Sequence, residues 1–363
     1  MAGKHFYRHD LNQLIDDSLQ CLQDVRLESR LAAVIRTMVT PGEGMVVAVS
    51  GGVDSVVLLH LLLRCPGLKP DQLLLAHFDH ALRPESASEA GFVQQLGQRL
   101  GVSVRIRRWP DPKAAGNIQA RAREARYQFF MDAASDADMG YIVTGHHGDD
   151  QVETFFEHLL RGSGITGLRA MSWHRVLRPG LMVLRPMLAF MRAEIHAWAV
   201  QHGLEWCEDP SNRSRRYLRS RLRHELVPVI NDLAADGTRR VVAACQRLQR
   251  ADDALDWTLN QLVPSLEMQN LAGEVSLLHG RLVQWPEELI FRLLAIMSLR
   301  VTGGHHAPGS RAAAGFMHLL FSEAKSWHMR MHRLEIFRDG ERIHFRKNAT
   351  PARCTNKSEN AYG

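Results

Sequence analysis

What the chain does without narrows it before any motif is read. No apolar stretch approaches the roughly 18 residues that a membrane-spanning helix needs, and a 45% hydrophobic, 23% charged composition is ordinary for globular proteins. The opening MAGKHFYRHDLNQLIDDSLQ shows neither an apolar core nor a small-residue cleavage site. A cytoplasmic protein with no membrane partner is therefore expected. The five cysteines, Cys21, Cys65, Cys207, Cys245 and Cys354, are scattered without a C-x-x-C pair, which argues against a disulfide framework, a zinc ribbon or an iron-sulfur cluster. No internal repeat and no low-complexity tract stands out. With 363 residues the chain exceeds the size at which one core usually stops growing, so two domains, or one with an appendage, are expected.

The charge balance is the first positive signal. A net charge of +6 favours a polyanionic partner, and the stretch RSRRYLRSRLR, residues 213–223, concentrates it. Its spacing supplies no acids to answer its arginines, so Arg213, Arg215, Arg216, Arg219, Arg221 and Arg223 are expected to contact nucleic-acid phosphates.

Hydrophobic periodicity gives the architecture. Residues 11–38 read as an amphipathic helix that ends at Pro41 and Gly42. Strand-like runs then appear at Met45–Val49, Leu73–Phe78, Val102–Ile106, Tyr141–Thr144 and Leu181–Leu184, separated by helical stretches. This alternation predicts an α/β fold, a parallel doubly wound sheet. After Pro228 the pattern becomes helical over residues 229–262, Glu287–Leu299 and Ala312–Phe321, and a hairpin signal follows around Asp339-Gly340. The expected organisation is an N-terminal helical extension (1–40), a catalytic domain (41–228), a helical linker with a small α+β C-terminal appendage (229–348) and a disordered tail (349–363). Arg330, Arg333, Arg338, Arg342, Arg346 and Lys347 in the hairpin region are further candidate phosphate contacts.

Ligands of such sheets bind beyond the carboxyl ends of the strands, and three polar clusters fall there. The first is SGGVDS, residues 50–55. Gly51 and Gly52 permit positive φ and close backbone approach, so amides of Ser50, Gly51, Gly52, Val53 and Ser55 can wrap an anion at a helix start. No lysine follows in the G-x-x-x-x-G-K-[ST] frame, so this is not a Walker loop. An aspartate within an anion-binding turn calls for an intervening Mg²⁺, with Asp54 as its ligand. The second cluster holds Asp79, His80 and Arg83, and a following helical run carries Arg126 and Tyr127. The third, GHHGDDQVE, sets His146 and His147 before a helix beginning with Asp149, Asp150 and Glu153. Asp150 and Glu153, at i and i+3, share a face suited to an ammonium group or Mg²⁺. Zinc is disfavoured, because the order lacks an i, i+4 histidine pair and any nearby cysteine. That helix runs into Arg161, Gly162, Ser163 and Gly164, either a second phosphate-facing loop or an ordinary C-cap.

SGGVDS matches the signature of the ATP pyrophosphatase (PP-loop) superfamily. With FDHALR, the Q-A-R-x-R-E-x-R-Y helix, GHHGDDQVETFFEHLLRGSGITGL, WCEDPSN and LRSRLRHELVP, residues 45–230 resemble the tRNA(Ile)-lysidine synthetase family. The resemblance implies a ligase: ATP adenylates the C2 oxygen of the wobble cytidine of CAU-anticodon tRNA(Ile), and free lysine then displaces AMP to form lysidine. It implies ATP and Mg²⁺ as cofactors, and Asp54, Arg126, His146, Asp150 and Glu153 as catalytic residues. Ser50, Gly51, Gly52, Val53, Asp54, Ser55, Asp79, Gly145, Arg161 and Gly162 fall on its nucleotide side, and a homodimer is a family-level expectation. The chain departs from the family at Arg219-Ser220, where asparagine usually follows arginine. Thiolation enzymes of the same superfamily carry paired cysteines, which this chain lacks.

Overall fold

The structure, a computed structural model, describes residues 26–348 apart from 82–85, 111–117, 209–217, 267, 272, 304–308 and 332. Arg83, Arg213, Arg215, Arg216, the first part of the expected leading helix and the tail lie outside the described residues. The chain divides into two compact units, Met1–Asp253 and Ala254–Gly363.

The first unit is built on a six-stranded sheet in the order β3-β2-β1-β4-β6-β5. Its strands are β1 (Met45–Ala48), β2 (Leu73–Asp79), β3 (Ser103–Arg108), β4 (Tyr141–Thr144), β5 (His174–Arg178) and β6 (Leu181–Leu184). The helices are α1 (Leu27–Met38), α2 (Val53–Leu63), α3 (Ser86–Leu100), α4 (Ile118–Asp136), α5 (Gly148–Leu160), α6 (Ile165–Leu168) and α7 (Arg192–Gln201). Strand β1 pairs in parallel with β2 on one side and β4 on the other, in register Ala48↔Ala76 and Ala48↔Thr144. The chain thus reverses its direction of winding at β1, and a crevice opens there at the strand ends. Both faces of the sheet are covered, which is why its strands are continuous apolar runs rather than alternating ones. Met45 and Val47 join one core with Leu31, Leu58, Leu62, Leu75, Val143 and Ile195. Val46 points the other way, with Leu74, Ile142, Phe129 and Phe130.

One strand departs from the parallel expectation. β5 escapes the hydrophobic pattern because its residues are mostly exposed, and it pairs antiparallel with β6. Only Pro179 and Gly180 join the two strands, with Gly180 at φ +78, and so short a link can make only a hairpin.

Beyond the sheet come α8 (Leu218–Arg221), a π-helical turn over Leu222–Leu226, α9 (Val227–Leu233) and α10 (Gly237–Leu262), the last running across the division between the units. The second unit holds an antiparallel sheet in the order β7-β8-β11-β10-β9, with α11 (His279–Leu282), α12 (Glu287–Thr302) and α13 (Ser310–Leu320). The strands are β7 (Gln269–Leu271), β8 (Glu274–Leu278), β9 (Ser326–Met331), β10 (Leu334–Asp339) and β11 (Arg342–Lys347). The expected hairpin is β10–β11, registered Asp339↔Arg342. Three further strands extend it around a core of Ile290, Leu294, Phe316, Ile336 and Phe345. Several hairpin arginines have partners inside the fold: Arg330 and Arg346 reach Glu335, Arg342 reaches Ser276, and Arg338 donates to the Ala324 and Gly340 carbonyls.

Candidate active site

The loop after β1 is shaped by its own hydrogen bonds. Ser55 Oγ donates to the Gly52 carbonyl at 2.8 Å and accepts from the Ser50 amide at 3.2 Å, so both hydroxyls brace the turn into α2. Gly51 sits at φ +93, a conformation that side chains resist. A Cβ there would also approach Cys207 Sγ at 3.3 Å, and the Cys207 amide donates to the Gly51 carbonyl at 2.9 Å. Gly52 corrects the expectation of two positive-φ glycines: it is extended, at φ −71. A Cβ on it would meet only Ser50 Oγ, at 3.5 Å, so among the described residues no neighbour demands glycine there. The amides of Val53 and Asp54 open α2 and have no partner within the helix. Gly145, at the end of β4, lies so close to this turn that a Cβ would stand 3.2 Å from the Asp54 backbone.

Asp54 reaches from this loop toward the third cluster. Its Oδ1 is buried without a hydrogen-bond partner, and its Oδ2 lies 3.6 Å from His147 Nε2. His147, almost wholly buried, also faces Asp150 at 3.7 Å and Asp149 at 3.6 Å. These are ion-pair distances longer than hydrogen bonds. Burial alone would lower the imidazole's proton affinity, but the carboxylates of Asp150, Asp149 and Asp54 outweigh it and hold His147 well above its ordinary value. It is an imidazolium shared by three aspartates. The GHHGDD motif marks this residue, but its charge sharing depends on Asp54, far off in sequence.

His146 stands opposite in charge. Burial pushes it down to about 4, with Asp150 opposing and Arg185, Arg126 and Arg123 reinforcing the shift. It is neutral at physiological pH, and its Nδ1 pairs with Thr144 Oγ1 at 2.8 Å. Asp150 accepts from the His147 amide at 3.0 Å. Burial raises its proton affinity, but the charge of His147, that amide and Arg223 hold it below the usual carboxylate range.

Glu153 is 2% exposed. Both of its oxygens accept from Arg223, at 2.6 and 3.2 Å, and Arg223 also lies 3.8 Å from Asp150. Burial still raises the Glu153 carboxyl above its ordinary value despite that guanidinium. The expectation that the arginines of residues 213–223 lack internal partners is therefore corrected for three of them. Arg223 holds Glu153, Arg219 bonds Glu157 at 3.1 Å and Thr154 at 2.9 Å, and Arg221 bonds Glu225. The partners of Arg219 and Arg223 on α5 lie 62 to 70 positions away, beyond the reach of local spacing, whereas Glu225 stands only four residues from Arg221.

The other expected residues divide. Asp79 is buried at the end of β2, where its Oδ1 accepts from the Ala81 amide at 2.7 Å. Arg161 pairs with Glu157 at 2.5 Å. The Gly162 and Ser163 amides donate to the Leu159 and His158 carbonyls, so this segment caps α5 and those amides are not offered to a phosphate. Arg126, from α4, is half-buried, and burial lowers its proton affinity.

The PP-loop domain family matches residues 23–230. A tRNA(Ile)-lysidine synthase of Wolbachia sp. subsp. Brugia malayi is 32% identical over 88% of this chain and 74% of that protein. One from Methylobacterium nodulans is 36% identical over 73% of this chain and 77% of its own. One from Wolbachia pipientis is 34% identical over 78% of this chain, which spans 66% of that relative. Among solved structures, a U34-tRNA thiolase from Methanococcus maripaludis, with its [4Fe-4S] cluster, aligns at TM-score 0.50 and 14% identity over 67% of this chain and 78% of that one, a likeness of fold. With the glycine-turned loop at the switch of the sheet and these relatives together, the chain belongs to the tRNA(Ile)-lysidine synthase family of PP-loop proteins.

Proposed function

We propose that this chain joins free lysine to C2 of the wobble cytidine in CAU-anticodon tRNA(Ile), splitting ATP into AMP and pyrophosphate. The observation that carries the reading is the meeting of two unlike groups at one sheet edge. An anion-wrapping loop with an unpartnered buried carboxylate oxygen on Asp54 stands beside an acid pair, Asp150 and Glu153, already holding a guanidinium.

The residues fit Mg²⁺ at Asp54: a hard carboxylate oxygen, buried and unsatisfied, is the ligand class that this ion takes. When bound, the ion would neutralise charge on the α and β phosphates of ATP. The loop amides at the start of α2 then face the departing pyrophosphate, with the helix dipole favouring its charge. In the first step the cytidine O2 attacks the α-phosphorus and the bond to the β-phosphate oxygen breaks. In the second, the lysine ε-nitrogen attacks C2, the C2–O bond breaks and AMP leaves.

The ε-amine is protonated in water near neutrality, so it arrives as a cation and must lose a proton before attack. Asp150 and Glu153 present a site for a cation, and the incoming ammonium takes the place of Arg223. Among the neighbours His147 is already protonated, His146 is pushed down to about 4, and Asp150 is held low. Burial raises the proton affinity of Glu153 while Asp150 is held low, so of this acid pair Glu153 is the one assigned the amine proton.

The test is incubation of the purified chain with ATP, Mg²⁺, lysine and a CAU-anticodon transcript. The expected products are pyrophosphate, AMP and a nucleoside heavier by one lysyl residue. ADP with orthophosphate, and no AMP, would overturn the reading. Asp54→Asn is expected to cut pyrophosphate release by about 10³-fold while RNA retention persists, and surviving turnover would remove Asp54 from the metal site.

A further inference from the structure

A second group of charges lies beside this site, around Tyr127. The Tyr127 ring is buried on α4. Arg175 from β5 lies 5.0 Å from its centroid, Arg123 5.1 Å and Arg126 5.9 Å. Arg185, just beyond β6, completes the ring: burial raises the phenol's pKa, but the fields of Arg123, Arg185, Arg175 and Arg126 outweigh it and lower it. Among the described residues none of these four guanidiniums forms an ion pair with a carboxylate. Arg185 is 5% exposed, and although its Nη1 donates to the Ser172 carbonyl at 2.7 Å, its Nε is buried with no hydrogen-bond partner.

Two other arginines packed along α4 are treated differently. Arg105 pairs with Asp136 and Arg107 with Asp132, each at 2.6 Å, the arrangement expected of surface charges serving the fold. Four like charges gathered around one buried ring repel one another and cost stability. Such a cluster is explained by an anion that the described residues do not supply.

We propose that Arg123, Arg126, Arg175 and Arg185, arranged around Tyr127, form a seat for the phosphodiester backbone next to the target nucleotide in single-stranded RNA. The inference rests on the RNA-modifying reading above and assigns a part of the same crevice. Two features favour a backbone over the lone carboxylate of an amino acid. One bidentate guanidinium is enough for a carboxylate, whereas four, on α4, β5 and the end of β6, suit a string of phosphates. The ring also grades inward: Arg123 and Arg175 are exposed, Arg126 is half-buried and Arg185 is buried. A loop whose base must leave its stack to reach a reaction centre needs its flanking phosphates held at the mouth of that centre. The seat opens beside His146, which feels Arg185, Arg126 and Arg123 directly.

The experiment uses the full chain and a CAU anticodon stem-loop, with binding measured by fluorescence anisotropy across a salt series. Arg123→Ala and Arg175→Ala, both at exposed positions, are each expected to reduce the slope of log K against log salt by about 0.7, which is about 5-fold in affinity at 0.1 M salt. Arg175→Lys should keep the slope. Unchanged slopes in both alanine variants would overturn the proposal. So would a raised KM for lysine with unaltered RNA binding, which would reassign the ring to the lysine carboxylate; comparison of lysine with lysinamide, which lacks that anion, reads this directly. The binding measurement needs no turnover. A chain that grips RNA through these arginines yet makes no lysine adduct would sink the proposed reaction and leave the seat standing.

Discussion

Two arginine-rich regions flank the same crevice and are built on opposite plans. Over Leu218–Leu226 the arginines are dense in sequence, and Arg219, Arg221 and Arg223 are each met by a carboxylate. Around Tyr127 the arginines come from positions 123, 126, 175 and 185, scattered in sequence, and among the described residues no carboxylate pairs with them. Density along the chain therefore does not measure free charge. Free charge is what remains after tertiary pairing, and among the described residues the three arginines of the conspicuous run are paired while an inconspicuous set is not. The π-helical turn over Leu222–Leu226 belongs to the paired region. Such a turn redirects side chains relative to a regular helix, and here Arg223 meets Glu153.

The comparison breaks most visibly at Arg223. Removing its guanidinium would strand Glu153, 2% exposed, without its counter-charge. Arg223→Ala is expected to lower unfolding free energy by about 3 kcal/mol, as for other broken buried pairs, measured by urea denaturation. Adding Glu153→Gln to Arg223→Met should recover most of that loss, because the stranded charge is then gone. A loss below about 1 kcal/mol would show that Glu153 is reached by water or protonates freely, and the paired region would then be no more committed than a surface.

This contrast also marks where the sequence was legible. The doubly wound sheet was legible because its strands are buried on both faces and stand out as apolar runs, Met45–Ala48 and Tyr141–Thr144 among them. The glycine turn after β1 was legible because its glycines and aspartate sit within six positions. β5 was not, since HRVLR leaves most of its side chains exposed at the sheet edge. The strands β7, β8 and β9 escaped for a related reason: their pairing with the recognisable hairpin is set by contacts across the second unit. In the candidate site, local spacing points to Asp54, Asp150 and Glu153. The protonation of His147, the capture of Glu153 by Arg223 and the ring around Tyr127 depend on residues brought together from several strands, information that no local window holds.

A smaller effect sharpens the other side of the comparison. If the charges around Tyr127 repel one another in the free protein, removing one should relieve the fold rather than harm it. Arg175→Ala is expected to raise stability by about 0.5 kcal/mol at low salt, and the gain should fade at about 1 M salt, where screening shortens to a few ångströms. Thermal denaturation across a salt series reads both features. A destabilisation independent of salt would mean that Arg175 serves packing through its stem, and the ring would lose its claim to be unpaired.

The least perturbing probe is the titration of His146. Its pKa, about 4, lies below the ordinary histidine value of 6.5, and burial is the first cause. Arg185, Arg126 and Arg123 add to the depression, and Asp150 opposes it. Between about 4 and 6.5 the unfolded chain binds a proton that the folded chain refuses, so this residue's contribution to stability is full above that window and is lost as pH falls through it. Arg123→Ala should raise the His146 pKa, followed by NMR of the imidazole, and so narrow the window and soften the acid loss. Arg221→Ala, in the paired region, should leave the same resonance where it was, because Glu225 already cancels that charge. Equal shifts in the two variants would mean that His146 senses net charge alone, and the distinction between answered and unanswered arginines would have no electrostatic meaning at the candidate site.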